Sequence, residues 1–267
     1  MTAPESLLTE LTPFGLEVQA RMTMPLCESI EPDTIKAWVA KHRYVVLRGF
    51  APMSDDAFKK FGTSFGTPQE WSFGAVNELR VSADSKNYLY TNHAVPFHWD
   101  GAFAGKVPHL IIFSCETAPA ASSGGETLFC DTTLLLKHAT PAQSERWAKA
   151  TVTYSTEKVV HYGGSFSAPM LATHPVSGEP VLRFAEPVTD LNPVTLKVDG
   201  LDAANSKILL DEMRGLLRAP EHCVAHAWRA GDVLIADNHA LLHGRREFSG
   251  QQRHLRRINI LHGARTP

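Results

Sequence analysis

Apolar and polar positions change their spacing along the chain. Ile35, Trp38 and Val39 recur at helical intervals behind Glu31-Pro32-Asp33, which predicts a helix over 34–41 with Asp33 as its N-cap. Tyr44-Val45-Val46-Leu47-Arg48-Gly49 is a β-branched run closed by glycine and reads as a buried strand. Ser54-Asp55-Asp56 opens a second helix that ends near Phe61-Gly62, and Gly66-Thr67-Pro68 breaks the chain again.

Beyond residue 78 the texture turns to short β-type segments at 79–82, 88–91, 109–114 and 127–130, separated by Gly, Pro and Asn. A short helix from Thr140-Pro141 through Trp147 interrupts them, and 151–192 alternates strands with glycine- and proline-rich loops. Helical spacing returns over 205–217, and the final strands are expected at 223–228, 232–236 and 257–261. This pattern predicts an all-β barrel or double-sheet jelly roll with flanking helices, as one domain over 1–267.

Composition narrows the partners. Hydrophobic residues make up 43% of 267, enough for a sizeable core, and a net charge of −2 recommends neither nucleic acid nor an anionic membrane. The expected partner is a small molecule, and a homo-oligomer is compatible with the sequence. Cys27, Cys115, Cys130 and Cys223 form no CxxC pair, which fits reduced thiols in a cytoplasm. The first sixteen residues do not have the build of a secretion signal, and no apolar run reaches membrane-spanning length.

Thirteen histidines make any single one uninformative. His98 and Asp100, two apart in an extended stretch, project to the same side and offer an imidazole and a carboxylate to one point. A second imidazole would complete a 2-His-1-carboxylate face, which suits non-heme Fe(II) and leaves positions open. Downstream, an apolar strand runs to Asp237-Asn238, and both His239 and His243 compete for that role.

Four motifs stand in order: His98-x-Asp100, Gly124-Gly125-Glu126-Thr127-Leu128-Phe129, Asp237-Asn238 with His243-Gly244-Arg245, and Arg253-x-x-x-Arg257. With Val45 to Phe50 and Phe61-Gly62-x-x-Phe65-Gly66, they resemble the taurine dioxygenase (TauD/TfdA-like) family of Fe(II)/2-oxoglutarate-dependent oxygenases over nearly the whole chain. The resemblance implies a double-stranded β-helix, an enzyme using Fe(II), 2-oxoglutarate and O2, and the metal ligands His98, Asp100 and His243. It leaves His239 outside the ligand set, assigns Thr127 and Arg253 to the far carboxylate of 2-oxoglutarate, and argues against halogenation because Asp100 fills the position that halogenases leave open.

The resemblance assigns Arg257 to an anionic group on the substrate or to framing the co-substrate; Arg245, Arg246 and Arg256 are read as structural. In an extended segment, Arg253, Leu255 and Arg257 share one face and Arg256 the other. The text from His98 to Phe103, then Val107-Pro108 and Phe113 to Pro119, is similar to the isonitrile and pyoverdine-chromophore biosynthetic branch. That branch implies hydroxylation or desaturation of an amino-acid-derived carboxylate. Trp99 and Phe103, as aromatic residues near the motif, are candidate substrate contacts that could wall a pocket. Trp71, Phe73, Phe97, Tyr162 and Phe166 are further pocket candidates. Ala94, in place of the asparagine that precedes the HxD motif in sulfonate enzymes, weakens transfer from them. The alternatives are a sulfonate or aryloxy-acid dioxygenase of the same family, a zinc hydrolase, and a non-catalytic jelly-roll binding protein.

Overall fold

The computed structural model describes residues 6–21, 24–82, 85, 87–120, 122–159, 162–249 and 252–262. It is mainly β, with few helices. The larger of two principal sheets has the order Ser6–Glu10, Leu16–Ala20, Tyr44–Arg48, Val233–Asp237, Leu110–Thr117, His254–Leu261, Thr67–Pro68, with Val76–Arg80 also paired to His254–Leu261. The smaller runs Cys223–His226, Thr127–Asp131, Leu241–Arg245, Val95–His98. A ribbon of Tyr162–Pro169, Thr151–Val159 and Thr195–Asp199 stands beside them.

Side-chain alternation explains why Val45-Val46-Leu47 is continuously apolar. Val45 and Leu47 face the helices Pro32–His42 and Asp55–Thr63, packing with Ile35, Val39, Phe58 and Phe61, while Tyr44 and Val46 face the space between the sheets. The same division sends Ile112 and Ile235 outward to the helices, and Phe113, Leu234 and Leu255 inward to meet Phe129 and Leu241 of the smaller sheet. On the far side of the smaller sheet, Phe97, Cys130 and Leu242 pack with Trp147, Leu209 and Met213 from Pro141–Lys149 and Ala203–Leu216. Every strand at the centre is thus buried on both faces.

Three local expectations are corrected. Asp33 lies in the first turn of Pro32–His42 rather than capping it; Glu31 is the N-cap and Pro32 begins the helix, because its fixed φ suits that position and it has no N–H to satisfy. The segment 88–91 is a 3-10 turn, Tyr88–Tyr90, because the Asn87 side chain accepts from Leu89 N at 3.0 Å and closes the chain locally. Thr132–His138 is a helix that was not expected, opened by Asp131, whose carboxylate accepts from the N–H groups of Thr133 and Leu134. Among the described residues, no helix is long and apolar enough to cross a membrane.

Candidate active site

Two strands of the smaller sheet carry the histidines. His98 ends Val95–His98 and His243 is central in Leu241–Arg245, and the antiparallel register sets them directly opposite each other. Their rings lie 4.3 Å apart between centroids. Asp100 follows on the turn, with its Oδ1 3.7 Å from His98 Nε2 and 3.9 Å from His243 Nε2. One ligand atom from each of the three lies within 4.8 Å of the others, and they form the only such group of three or more among the described residues.

The turn is fixed by two residues around it. Gly101 has φ +99°, and a Cβ there would stand 2.3 Å from the Lys106 carbonyl oxygen, so the position requires glycine. Asn238 accepts from Asp100 N at 2.9 Å and donates to the carbonyls of Asp100 and Pro108 at 3.0 and 2.9 Å. Asp100 is thereby tied to the end of the strand that precedes His243.

Protonation states suit a divalent cation. Burial lowers the pKa of His98, and burial followed by the His98 charge brings His243 down to about 3, so both imidazoles are neutral near neutral pH. His98 Nδ1 lies 2.9 Å from the Pro96 carbonyl, to which it donates, leaving Nε2 with a lone pair toward the cluster. Burial opposes ionisation of Asp100, yet Arg257, His243, His98 and Asn259 together hold it at about 2. Two neutral nitrogens and one carboxylate oxygen with open space beside them fit Fe(II).

A file of side chains runs along the inward face of the strand His254–Leu261 and the residue before it. Arg257 Nη1 lies 2.9 Å from Asp100 Oδ2, and Asn259 donates to that oxygen at 3.1 Å. Two residues back, Leu255 is in the inter-sheet core, and two further is Arg253. Arg256 points outward, where it pairs with Asp55 and Glu116. Arg253 is only 4% exposed, donating through Nε to the Gly125 carbonyl at 3.0 Å and through Nη2 to Thr127 Oγ1 at 3.2 Å. It has no acidic partner among the described residues, and burial lowers its pKa to about 9. A buried guanidinium without an anion is costly, which makes this end of the file fit a carboxylate brought by a ligand.

A cavity of about 100 Å³ adjoins His98, Asp100 and Arg257. Trp71, Trp99 and Phe103 line it as expected, together with Tyr88, Tyr154 and Val188, which the sequence did not single out. Phe73 stacks on Trp71 but is itself exposed, while Phe97 belongs to the core. Phe166 packs edge-on against Trp99, and the Tyr162 side chain lies outside the described residues. His239 stands away from the cluster, its Nδ1 accepting from Arg183 Nη2 at 2.7 Å.

Residues 8–259 match the family described as taurine catabolism dioxygenase TauD, TfdA family. The chain belongs to the TauD/TfdA family. It is accordingly an Fe(II)- and 2-oxoglutarate-dependent dioxygenase, as the motifs led one to expect. Among TauD/TfdA relatives, it is 43% identical to a 3-((Z)-2-isocyanoethenyl)-1H-indole synthase of Fischerella ambigua, with 94% of each chain covered. It is 36% identical to a tyrosine isonitrile desaturase of Pseudomonas aeruginosa, over 92% of this chain and 87% of that one. The solved structure of PvcB, an Fe, alpha-ketoglutarate dependent oxygenase from an isonitrile synthetic pathway, superposes with a TM-score of 0.83 at 31% identity, covering 97% of this chain and 93% of that one.

Sequence reasoning missed Asn238 and Asn259 as supports of Asp100. Asn259 was within reach of the argument, since it continues the period-two file Arg253, Leu255, Arg257.

Proposed function

We propose that the chain is a single double-stranded β-helix domain over 1–267 that hydroxylates or desaturates a small anionic amino-acid-derived acid bearing an isonitrile. In this reading His98, Asp100 and His243 hold the iron, and Thr127 with Arg253 take the far carboxylate of 2-oxoglutarate. The observation that carries it is the buried Arg253, without an acidic partner among the described residues, at one end of an inward file whose other end is the cluster of His98, Asp100 and His243. The names of the two relatives, an isocyanoethenyl-indole synthase and a tyrosine isonitrile desaturase, support the substrate class and favour desaturation.

The chain's own groups divide the work. Arg257 and Asn259 occupy Oδ2 of Asp100, which leaves Oδ1, the oxygen nearer His98 and His243, as the one that would hold a metal. Arg257 also lines the cavity, where its remaining N–H groups serve a substrate carboxylate, while Trp99, Phe103 and Tyr154 enclose an aryl side chain and exclude water. Bound iron supplies oxygen activation coupled to conversion of 2-oxoglutarate to succinate and CO2. Free thiols at Cys27, Cys115, Cys130 and Cys223 support a reducing, cytoplasmic setting.

The test is succinate formation with Fe(II), 2-oxoglutarate and a panel of acids: isonitrile derivatives of tyrosine and tryptophan, aliphatic sulfonates and aryloxy acids. The expected result is succinate triggered by the isonitriles, with product lighter by two hydrogens or by two hydrogens and CO2. Succinate released only with sulfonates or aryloxy acids would move the chain to the catabolic branch.

A further inference from the structure

Thr127 Oγ1 has two donors. Trp228 Nε1 lies 2.9 Å from it and Arg253 Nη2 lies 3.2 Å away. An indole N–H and a guanidinium can only donate, so both lone pairs of the hydroxyl are engaged and its proton must be given to an acceptor. Among the described residues no acceptor takes it. We infer that Trp228 is a positioning residue for the co-substrate: its indole N–H fixes the Thr127 hydroxyl as a donor aimed at the far carboxylate of 2-oxoglutarate. This rests on the reading of Thr127 and Arg253 given above.

The indole is itself well held. Trp228 is buried just beyond the strand Cys223–His226, edge-on to the His226 ring at 4.5 Å and to Phe113 at 5.9 Å between centroids. Thr127 begins a strand in the neighbouring ladder, opposite His226. A β-branched threonine can exchange its methyl and hydroxyl by a single χ1 step, which would take the hydroxyl away from Arg253 Nη2 and turn a methyl toward the ligand. The Trp228 N–H opposes that step. It therefore acts on the co-substrate through Thr127.

Calorimetric titration of the Mn(II)-loaded protein, with 2-oxoglutarate and with 2-oxopentanoate, tests this without turnover. Both acids present the same keto and C1 carboxylate groups, but 2-oxopentanoate lacks the far carboxylate. Trp228→Phe is expected to weaken 2-oxoglutarate about tenfold, which is ~1.4 kcal/mol, and to leave 2-oxopentanoate unchanged. Combining it with Thr127→Val should cost no more than Thr127→Val alone. Benzothienylalanine placed at 228 keeps the bicyclic shape without the N–H, and covers the case in which Trp228→Phe does not fold. Equal weakening of both acids, or no weakening while Arg253→Ala shows the selective loss, overturns the role of Trp228. Absence of a selective loss in Arg253→Ala overturns the co-substrate reading itself.

Discussion

Arg257 Nη1 sits 2.9 Å from Asp100 Oδ2, on the side of the carboxylate turned away from the two histidines. The contact couples the strand His254–Leu261 of one sheet to the turn that follows Val95–His98 of the other. It also brings a positive charge to the wall of the cavity beside His98 and Asp100.

Arg257→Ala is therefore expected to raise KM for an acidic substrate about a hundredfold, or ~3 kcal/mol, and to raise it much less for the neutral methyl ester. Steady-state kinetics on the acid and ester pair provide the check. Equal effects would remove the reason for expecting an anionic substrate.

Trp99 and Phe103 both line the cavity, yet their burial differs. Trp99 is 3% exposed and packs edge-on to Tyr154 and Phe166, so Trp99→Ala should cost about 3–5 kcal/mol in denaturant unfolding. Phe103 is half-buried, and Phe103→Ala should act chiefly on KM, by about tenfold. If Phe103→Ala instead destabilises as much as Trp99→Ala and spares KM, Phe103 is packing and not a substrate wall.

Arg48 clamps Asp232 with two hydrogen bonds of 2.8 Å, Nε to Oδ1 and Nη2 to Oδ2, in the body of the larger sheet. Burial works against ionisation of Asp232, but Arg48, His226 and the Arg229 N–H hold its pKa below the usual carboxylate value. A depressed folded-state pKa contributes stability that is complete above the unfolded value of about 3.9 and is lost as pH falls below it. Asp232→Ala should therefore cost about 3–5 kcal/mol at neutral pH, with the difference from wild type shrinking below about pH 4. Urea unfolding across that range measures it; a pH-independent difference would contradict the assignment.

The layered β architecture was legible because burial on both faces writes itself into continuous runs such as Val45-Val46-Leu47 and Leu234-Ile235-Ala236. The spacing of His98 and Asp100 was likewise local, and the resemblance selected His243 over His239; the structure brings His243 opposite His98 and turns His239 to Arg183. The supports of the site were not legible. Asn238 clamps the Asp100 turn, Trp228 meets Thr127 and Tyr154 walls the cavity through contacts fixed by strand register and sheet packing, which leave no periodic mark in the sequence. Seven residues of Thr132–His138 were too few to show a helical period, and only the Asp131 cap gives that helix away.

The most direct test of the account is an anaerobic titration of 2-oxoglutarate into Fe(II)-loaded protein, following the weak visible charge-transfer absorption of the chelate. Wild type and His239→Ala should both develop the band, while His243→Ala should not. A wild type without the band, or a band that survives His243→Ala and is lost in His239→Ala, would contradict the site built on His98, Asp100 and His243.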